Sequence, residues 1–132
     1  MTEIDVIREI QGHLQGHFPK VCPLCHRTYD TLRDFLLLTT PAGPVVSYDA
    51  EVGDWNPADP IGTLAFANCP CGDTLVLSSD GMPLLRLWSL LNWVRDESKL
   101  RHQSPQGLLN YLRDQITQQV LQEPAKGDRA RS

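Results

Sequence analysis

Apolar side chains recur at helical spacing along the first part of the chain. Over residues 3–17 they form one stripe, made of Ile4, Ile7, Ile10, Leu14 and, just beyond, Phe18. That spacing is typical of an amphipathic helix. Thr2 precedes the stripe as an N-cap, and Glu3 and Asp5 favour the positive end of the helix dipole. We therefore predict a helix over 3–17.

The C-terminal third carries two longer helical patterns. Residues 83–102 are apolar on more than one face, at Leu84, Leu85, Leu87, Trp88, Leu90, Leu91, Trp93 and Val94. Ser104 and Pro105 then supply an N-cap and a first-turn proline for a last helix over 105–122. We predict a helical hairpin whose first helix is either central to the fold or exposes part of its apolar surface to a partner or to a second copy of the chain.

The middle of the chain favours β-structure. Short apolar runs predict strands over 44–50, 61–67 and 74–78, with a loop rich in turn residues over 51–60. Residues 29–38 favour a short helix, although a strand over 35–40 competes with it. The fold class is α+β, with a small antiparallel β core and flanking helices. We expect one domain over 1–122 and a disordered tail over 123–132.

Four cysteines in two tight pairs supply the chemistry. They form the motifs Cys22-Pro-Leu-Cys25 and Cys69-Pro-Cys71-Gly72. A proline after the first cysteine of each pair presets a turn, and Gly72 allows the positive φ that such a turn requires. Four thiolates suit a closed tetrahedral zinc site. We predict one structural Zn²⁺ per chain, bound by Cys22, Cys25, Cys69 and Cys71.

Other uses of these cysteines stay open at this point. The chain begins Met1-Thr2-Glu3 without a secretory signal pattern, and it has no run of 18 apolar residues. We therefore expect a cytoplasmic location. Disulfides are disfavoured there, which argues against disulfide pairing of the four cysteines. Redox thiols are an alternative, because Cys-x-x-Cys also occurs in thioredoxin-like proteins, although no βαβ pattern precedes Cys22. Iron–sulfur or another metal is a further alternative.

The cysteine motifs resemble those of zinc ribbons and related treble-clef modules. The resemblance rests on Cys22-Pro-Leu-Cys25-His-Arg-Thr-Tyr29 and Asn68-Cys69-Pro-Cys71-Gly72. It implies two knuckles at the tips of β-hairpins with one zinc between them. This chain departs from the simplest pattern in two ways: 43 residues separate the pairs, and the second pair has a single intervening residue.

Charge is unevenly distributed. The formal net charge is −4, and residues 41–80 contain acidic side chains but no Lys or Arg. This disfavours general affinity for nucleic acid or anionic membranes. The acids Asp49, Glu51, Asp54 and Asp59 surround Trp55. We interpret this segment either as a solvated loop or as a docking surface for a basic partner.

Catalytic patterns are missing from the sequence. There is no nucleophile elbow, Walker loop, dinucleotide fingerprint or deaminase signature. His13 and His17 lie four residues apart without a third ligand at zincin spacing, so we expect two solvated histidines. We therefore expect a non-enzymatic zinc protein that binds another protein as an accessory or regulatory factor. The alternatives are a nucleic-acid-associated ribbon protein and, more weakly, a redox- or zinc-responsive sensor.

Overall fold

A computed structural model describes residues 1–122 of the chain. In chain order the elements are α1 (Glu3–Gln15), β1 (Lys20–Val21), β2 (Thr28–Tyr29), α2 (Leu32–Leu38), β3 (Thr40–Pro41), β4 (Val46–Ser47), α3 (Tyr48–Glu51), β5 (Thr63–Asn68), β6 (Thr74–Ser78), α4 (Leu84–Leu100) and α5 (Pro105–Gln122). This confirms the mixed α+β class. The tail predicted over 123–132 lies outside the described residues.

The strands form two antiparallel sheets. The first is a hairpin of β1 and β2, in which Lys20 pairs with Tyr29. The second is built on β5, which pairs with β6 from Leu64 to Asn68. The other edge of β5 receives β3 near Asn68 and β4 near Thr63. Each hairpin therefore ends in a turn, and these two turns contain the cysteines.

Local hydrogen bonds set where the helices begin. Thr2 and Asp5 form a reciprocal capping box at the start of α1, as the sequence predicts for this N-cap. The Thr31 hydroxyl accepts from the Asp34 amide, so α2 begins at Leu32 rather than at residue 29, which belongs to β2. α1 ends two residues earlier than predicted, at Gln15. α4 and α5 confirm the predicted helical hairpin within a few residues of their expected ends.

The strand predicted over 44–50 is mostly wrong. Only Val46–Ser47 is extended, and Tyr48–Glu51 forms the short helix α3. The reason is local side-chain hydrogen bonding, because the Ser47 hydroxyl accepts from the Ala50 amide and caps this turn. The carboxylate of Asp49 then accepts the backbone N–H groups of Ile61 and Gly62 at 2.8 and 3.1 Å.

α4 buries one of its faces against the core and exposes the other. Four of its apolar side chains are buried: Leu87, Leu90, Leu91 and Val94. The indole N–H of Trp88 donates to the Pro57 carbonyl at 2.7 Å, and Trp93 packs against the core. Leu84 and Leu85 at its start are exposed. Within residues 1–122, none of the helices combines the length and the apolar character needed to cross a bilayer.

Candidate metal centre

The four cysteines lie at the tips of the two hairpins. The turn between β1 and β2 carries Cys22 and Cys25, and the turn between β5 and β6 carries Cys69 and Cys71. The 43-residue separation is therefore no obstacle to a shared site, since α2, β3, β4 and α3 fill the intervening chain.

Both turns are closed by backbone hydrogen bonds that need a left-handed residue. In the first turn the His26 amide donates to the Cys22 carbonyl at 2.9 Å, and His26 has φ 64°. In the second turn the Gly72 amide donates to the Cys69 carbonyl at 2.8 Å, and Gly72 has φ 99°. Histidine tolerates this region better than most residues do, and glycine adopts it without a steric penalty.

The sulfur atoms of the two hairpins meet. The Sγ atoms of Cys22 and Cys71 lie 3.6 Å apart, and those of Cys25 and Cys69 lie 3.7 Å apart. All four Sγ atoms lie within 4.8 Å of one another. Zn–S bonds of ~2.3 Å in a tetrahedron give S···S edges of about 3.8 Å. The arrangement therefore has the size of a four-sulfur site, and it can hold a metal ion.

The site has a buried side and an exposed side. Cys22 and Cys69, the first cysteine of each pair, are buried, whereas Cys25 and Cys71 are exposed. Each close pair of sulfur atoms joins one buried cysteine to one exposed cysteine of the other hairpin. A metal ion held here would sit at the protein surface while two of its ligands were anchored in the core.

Polar groups next to the sulfurs favour negative charge at one of them. The Tyr29 hydroxyl lies 2.9 Å from Cys69 Sγ. This hydrogen bond, with one from the backbone of Cys71, lowers the pKa of the Cys69 thiol to about 6. At Cys71 a backbone hydrogen bond at Asp73 lowers the pKa of the thiol. Partial desolvation of the sulfur and its contacts with the other three thiols outweigh this effect and raise the pKa to about 12. A bound divalent cation would supply the charge that lets all four sulfurs ionise.

Tyr29 is the site residue whose role the sequence did not show. Its side chain is fully buried, and its ring packs edge-to-face against Phe35 at a centroid distance of 5.4 Å. Burial of the hydroxyl is one cause that raises the pKa of Tyr29 to about 12, together with the bond to Cys69. In the sequence, Tyr29 is visible only as an aromatic residue four positions after Cys25, at the end of the first cysteine motif. Nothing in that motif indicates that its hydroxyl contacts Cys69.

The histidines do not join this cluster. His26 stays a turn residue beside Cys25. The prediction of two solvated histidines at the end of α1 is wrong, since His13 and His17 are half-buried and their rings stack edge-to-face at 4.6 Å. His17 Nε2 lies 3.3 Å from the Asp80 carbonyl oxygen, which places the ring against the β6–α4 connection.

The predicted docking surface around Trp55 needs two corrections. Asp49 is 1% exposed and holds two backbone amides, so it cannot meet a partner. Trp55 is half-buried and packs against the hydrophobic core. Its neighbours Glu51, Asp54 and Asp59 are exposed, as a solvated loop would place them.

Several basic side chains of the C-terminal helices have acidic partners. Arg86 pairs with Glu9 at 3.1 Å, and Arg95 pairs with Asp96 at 3.0 Å. Arg101 bonds to both Glu3 and Glu97 at 2.7 and 3.0 Å. The positive charge of these three arginines is therefore largely neutralised within the chain.

No protein-family model matches this chain, and no curated protein or solved structure matches it.

Proposed function

We propose that the cysteine cluster is a structural zinc site with one Zn²⁺ per chain. The observation that carries this proposal is the set of inter-hairpin Sγ distances of 3.6 and 3.7 Å, close to the edge of a zinc–thiolate tetrahedron. The ligands are Cys22, Cys25, Cys69 and Cys71. Two hairpin tips that face each other support assignment to the zinc-ribbon class. The absence of disulfides among the four cysteines suits a reducing compartment such as the cytoplasm.

A site of this type fixes two hairpins against each other rather than performing catalysis. Four protein sulfurs fill the coordination shell of zinc and leave no position for a water molecule or a substrate. The metal would tie the first hairpin, which has only two residue pairs in its ladder, to the larger sheet. We therefore propose a non-enzymatic domain whose role is to bind another protein as an accessory or regulatory factor.

The partner surface that we propose is the acidic loop surface, defined here as the exposed residues Glu51, Val52, Asp54, Asp59 and Ile61. Val52 and Ile61 are 67% and 63% exposed. The helix α3 ends directly before Val52, and its residue Asp49 accepts the amide N–H of Ile61. This hydrogen bond holds the segments that carry Val52 and Ile61 next to each other. Apolar side chains rimmed by carboxylates favour a partner with a basic and apolar surface.

Nucleic acid is the less favoured partner, since the arginines of α4 are engaged in ion pairs and the acidic loop surface would repel phosphates. A redox- or zinc-responsive function has one supporting observation, namely that Cys25 and Cys71 are exposed. In such a function hydrogen peroxide would accept two electrons from two thiolates, which join as a disulfide, and with two protons from solvent it would be reduced to two water molecules. The metal would lose two ligands and be released.

The experiment is capture from native lysate on the zinc-loaded chain. The bait variant Val52→Ala/Ile61→Ala should lose a protein partner that the wild type retains, and Leu24→Ala, at another exposed apolar residue, is the matched control. Equal capture by all three baits would contradict this surface. If only the Leu24→Ala bait lost the partner, the interface would lie at the first cysteine turn and not at the acidic loop surface. Sedimentation of the purified chain separately tests a homodimer through the C-terminal helices, where Leu85 is 75% exposed.

A further inference from the structure

A cavity of about 130 Å³ lies between the sheet and the helices. The sheet side is formed by Ala65 and Leu77, and the helix side includes Leu90, Val94, Leu112 and Ile116. The four helix residues are buried, so the cavity reaches into the core between the sheet and the helices. Protein interiors pack to the density of organic crystals and contain few voids larger than a water molecule. A void of this size therefore requires an explanation.

The small side chains of β5 account for the space. Side chains two residues apart on a strand share a face, so Thr63, Ala65 and Ala67 all face the same side of the sheet. Ala65 pairs with Leu77 on β6, and both line the cavity. Small residues at the centre of the sheet leave unfilled volume under the long helices α4 and α5.

Chemistry restricts what can enter this volume. Almost all of the surface that lines the cavity is apolar. Water is stable in a cavity only when it finds two to four polar partners, and a comparable cavity of roughly 150 Å³ lined by aliphatic and aromatic groups stays dry and binds benzene. The volume therefore suits an apolar group about the size of a six-membered ring.

One polar atom at the wall has no partner. Among the described residues, the Nε2 atom of His13 is the one buried side-chain nitrogen or oxygen without a hydrogen bond. Two other polar side chains at the wall are engaged, since the Ser79 hydroxyl accepts from the Thr63 amide and the Thr117 hydroxyl donates to the Arg113 carbonyl. Buried polar atoms without partners are uncommon, and they are costly to maintain.

We propose that this cavity is a binding site for a small, mostly apolar molecule that carries one hydrogen-bonding group, such as a hydroxyl. The apolar part fills the space between Ala65 and the helices α4 and α5. The hydrogen-bonding group meets the ring of His13, which lines the same cavity. The site is separate from the cysteine cluster and does not depend on the function proposed for it.

The test uses phenol and benzene as probes on the zinc-loaded full chain, followed by titration of amide chemical shifts. Both probes should bind saturably, with shifts concentrated on α4, α5 and β5. Ala65→Leu fills the space and should abolish binding of both, whereas Ala58→Leu, at an exposed loop position, should leave it unchanged. Absence of saturable binding to the wild type, or binding that survives Ala65→Leu, overturns the proposal.

The role of His13 is tested by comparing the two probes. In His13→Leu, benzene affinity should be retained, which shows at the same time that the cavity is intact. Phenol affinity should fall by about fivefold, the effect expected of one net hydrogen bond. An unchanged ratio of phenol to benzene affinity would contradict the assignment of His13. If His13→Leu also lost benzene binding, the proposal that the apolar part of the cavity binds without help from His13 would be wrong.

Discussion

The hydroxyl of Tyr29 lies 2.9 Å from the sulfur of Cys69, although 40 residues separate them in the chain. Tyr29 ends the first hairpin and Cys69 begins the turn of the second, so this contact crosses the same gap that the cysteine cluster bridges. The tyrosine hydroxyl is buried, and the sulfur is the partner available to it. Such outer hydrogen bonds orient metal ligands and tune the metal that they hold.

Removing this hydroxyl should weaken metal binding without disturbing the fold. Tyr29→Phe keeps the ring that packs against Phe35 and deletes the bond to Cys69. Loss of an outer-shell hydrogen bond typically reduces metal affinity by about 10- to 100-fold, and we expect roughly the lower figure. Competition with a chromophoric chelator measures it. Tyr48→Phe, at a 38% exposed tyrosine, is the control, and equal affinities for both variants would contradict the role of Tyr29.

Asp49 should matter for stability and not for partner binding. Asp49→Ala removes the acceptor of the Ile61 and Gly62 amides in a site that is 1% exposed. Each amide left without a partner costs ~1–3 kcal/mol, so for the two amides we expect a loss of about 2–6 kcal/mol in the free energy of unfolding. Urea denaturation of the zinc-loaded protein measures this loss. Asp59→Ala, at an exposed position, should change it by less than about 0.5 kcal/mol; equal losses would refute the assignment.

Trp55 should behave as a packing residue. Trp55→Ala removes a large side chain that packs against the core. Because the side chain is only half-buried, we expect a loss of about 2–4 kcal/mol, near or below the range for fully buried aromatic residues. A thermal melt compared with Val52→Ala, at a 67% exposed position, provides the measurement. An unchanged melting temperature combined with loss of a captured partner would instead restore Trp55 as a binding residue.

Acid should destabilise the fold through His13. Burial lowers the pKa of His13 below 6.5, and the charge of the neighbouring His17 lowers it further. Arg86 adds a smaller effect in the same direction. Hydrogen bonds to the backbone carbonyls of Ser78 and Asp80 raise the pKa and so oppose this shift in part. The unfolded chain therefore binds the proton more readily than the folded chain does. Stability is unaffected above the unfolded pKa and falls as the pH drops below it.

The measurement is urea denaturation at pH 7.5 and pH 5.5 for the wild type and His13→Gln, both with zinc in excess. Loss of metal in acid affects both proteins, so the difference between them isolates His13. The wild type should lose more stability than the variant between these pH values. An equal or larger loss in the variant would show that His13 does not hold a depressed pKa in the folded chain.

The parts of the fold that the sequence predicted depend on short-range rules. The capping box at Thr2 and the stripes of α4 and α5 are local patterns, and they appear within a few residues of their predicted ends. The cysteine motifs contain their own turn residues, and the structure brings the four sulfurs together. Local pattern therefore sufficed for the long helices and for the clustering of the four cysteines.

The misjudged residues are those whose environment is set by distant segments. Asp49 looks like a surface acid in sequence, but amides 12 and 13 residues later bury it. His13 looks like a solvated residue near a helix end, although it is half-buried and its Nε2 atom is shielded from solvent. Tyr29 gives no local sign of the sulfur that it meets 40 residues away. None of these contacts can be deduced from periodicity or composition.

The metal content of the purified chain tests the central proposal most directly. Protein prepared without chelators should carry one zinc per chain by elemental analysis. Cys69→Ser should lose the metal and unfold readily, because structural zinc contributes on the order of 10 kcal/mol to small metallo-domains. His26→Ala, which leaves all four sulfurs in place, should retain the metal. Wild-type protein that is fully folded with no metal bound, or with a metal other than zinc, would contradict the account.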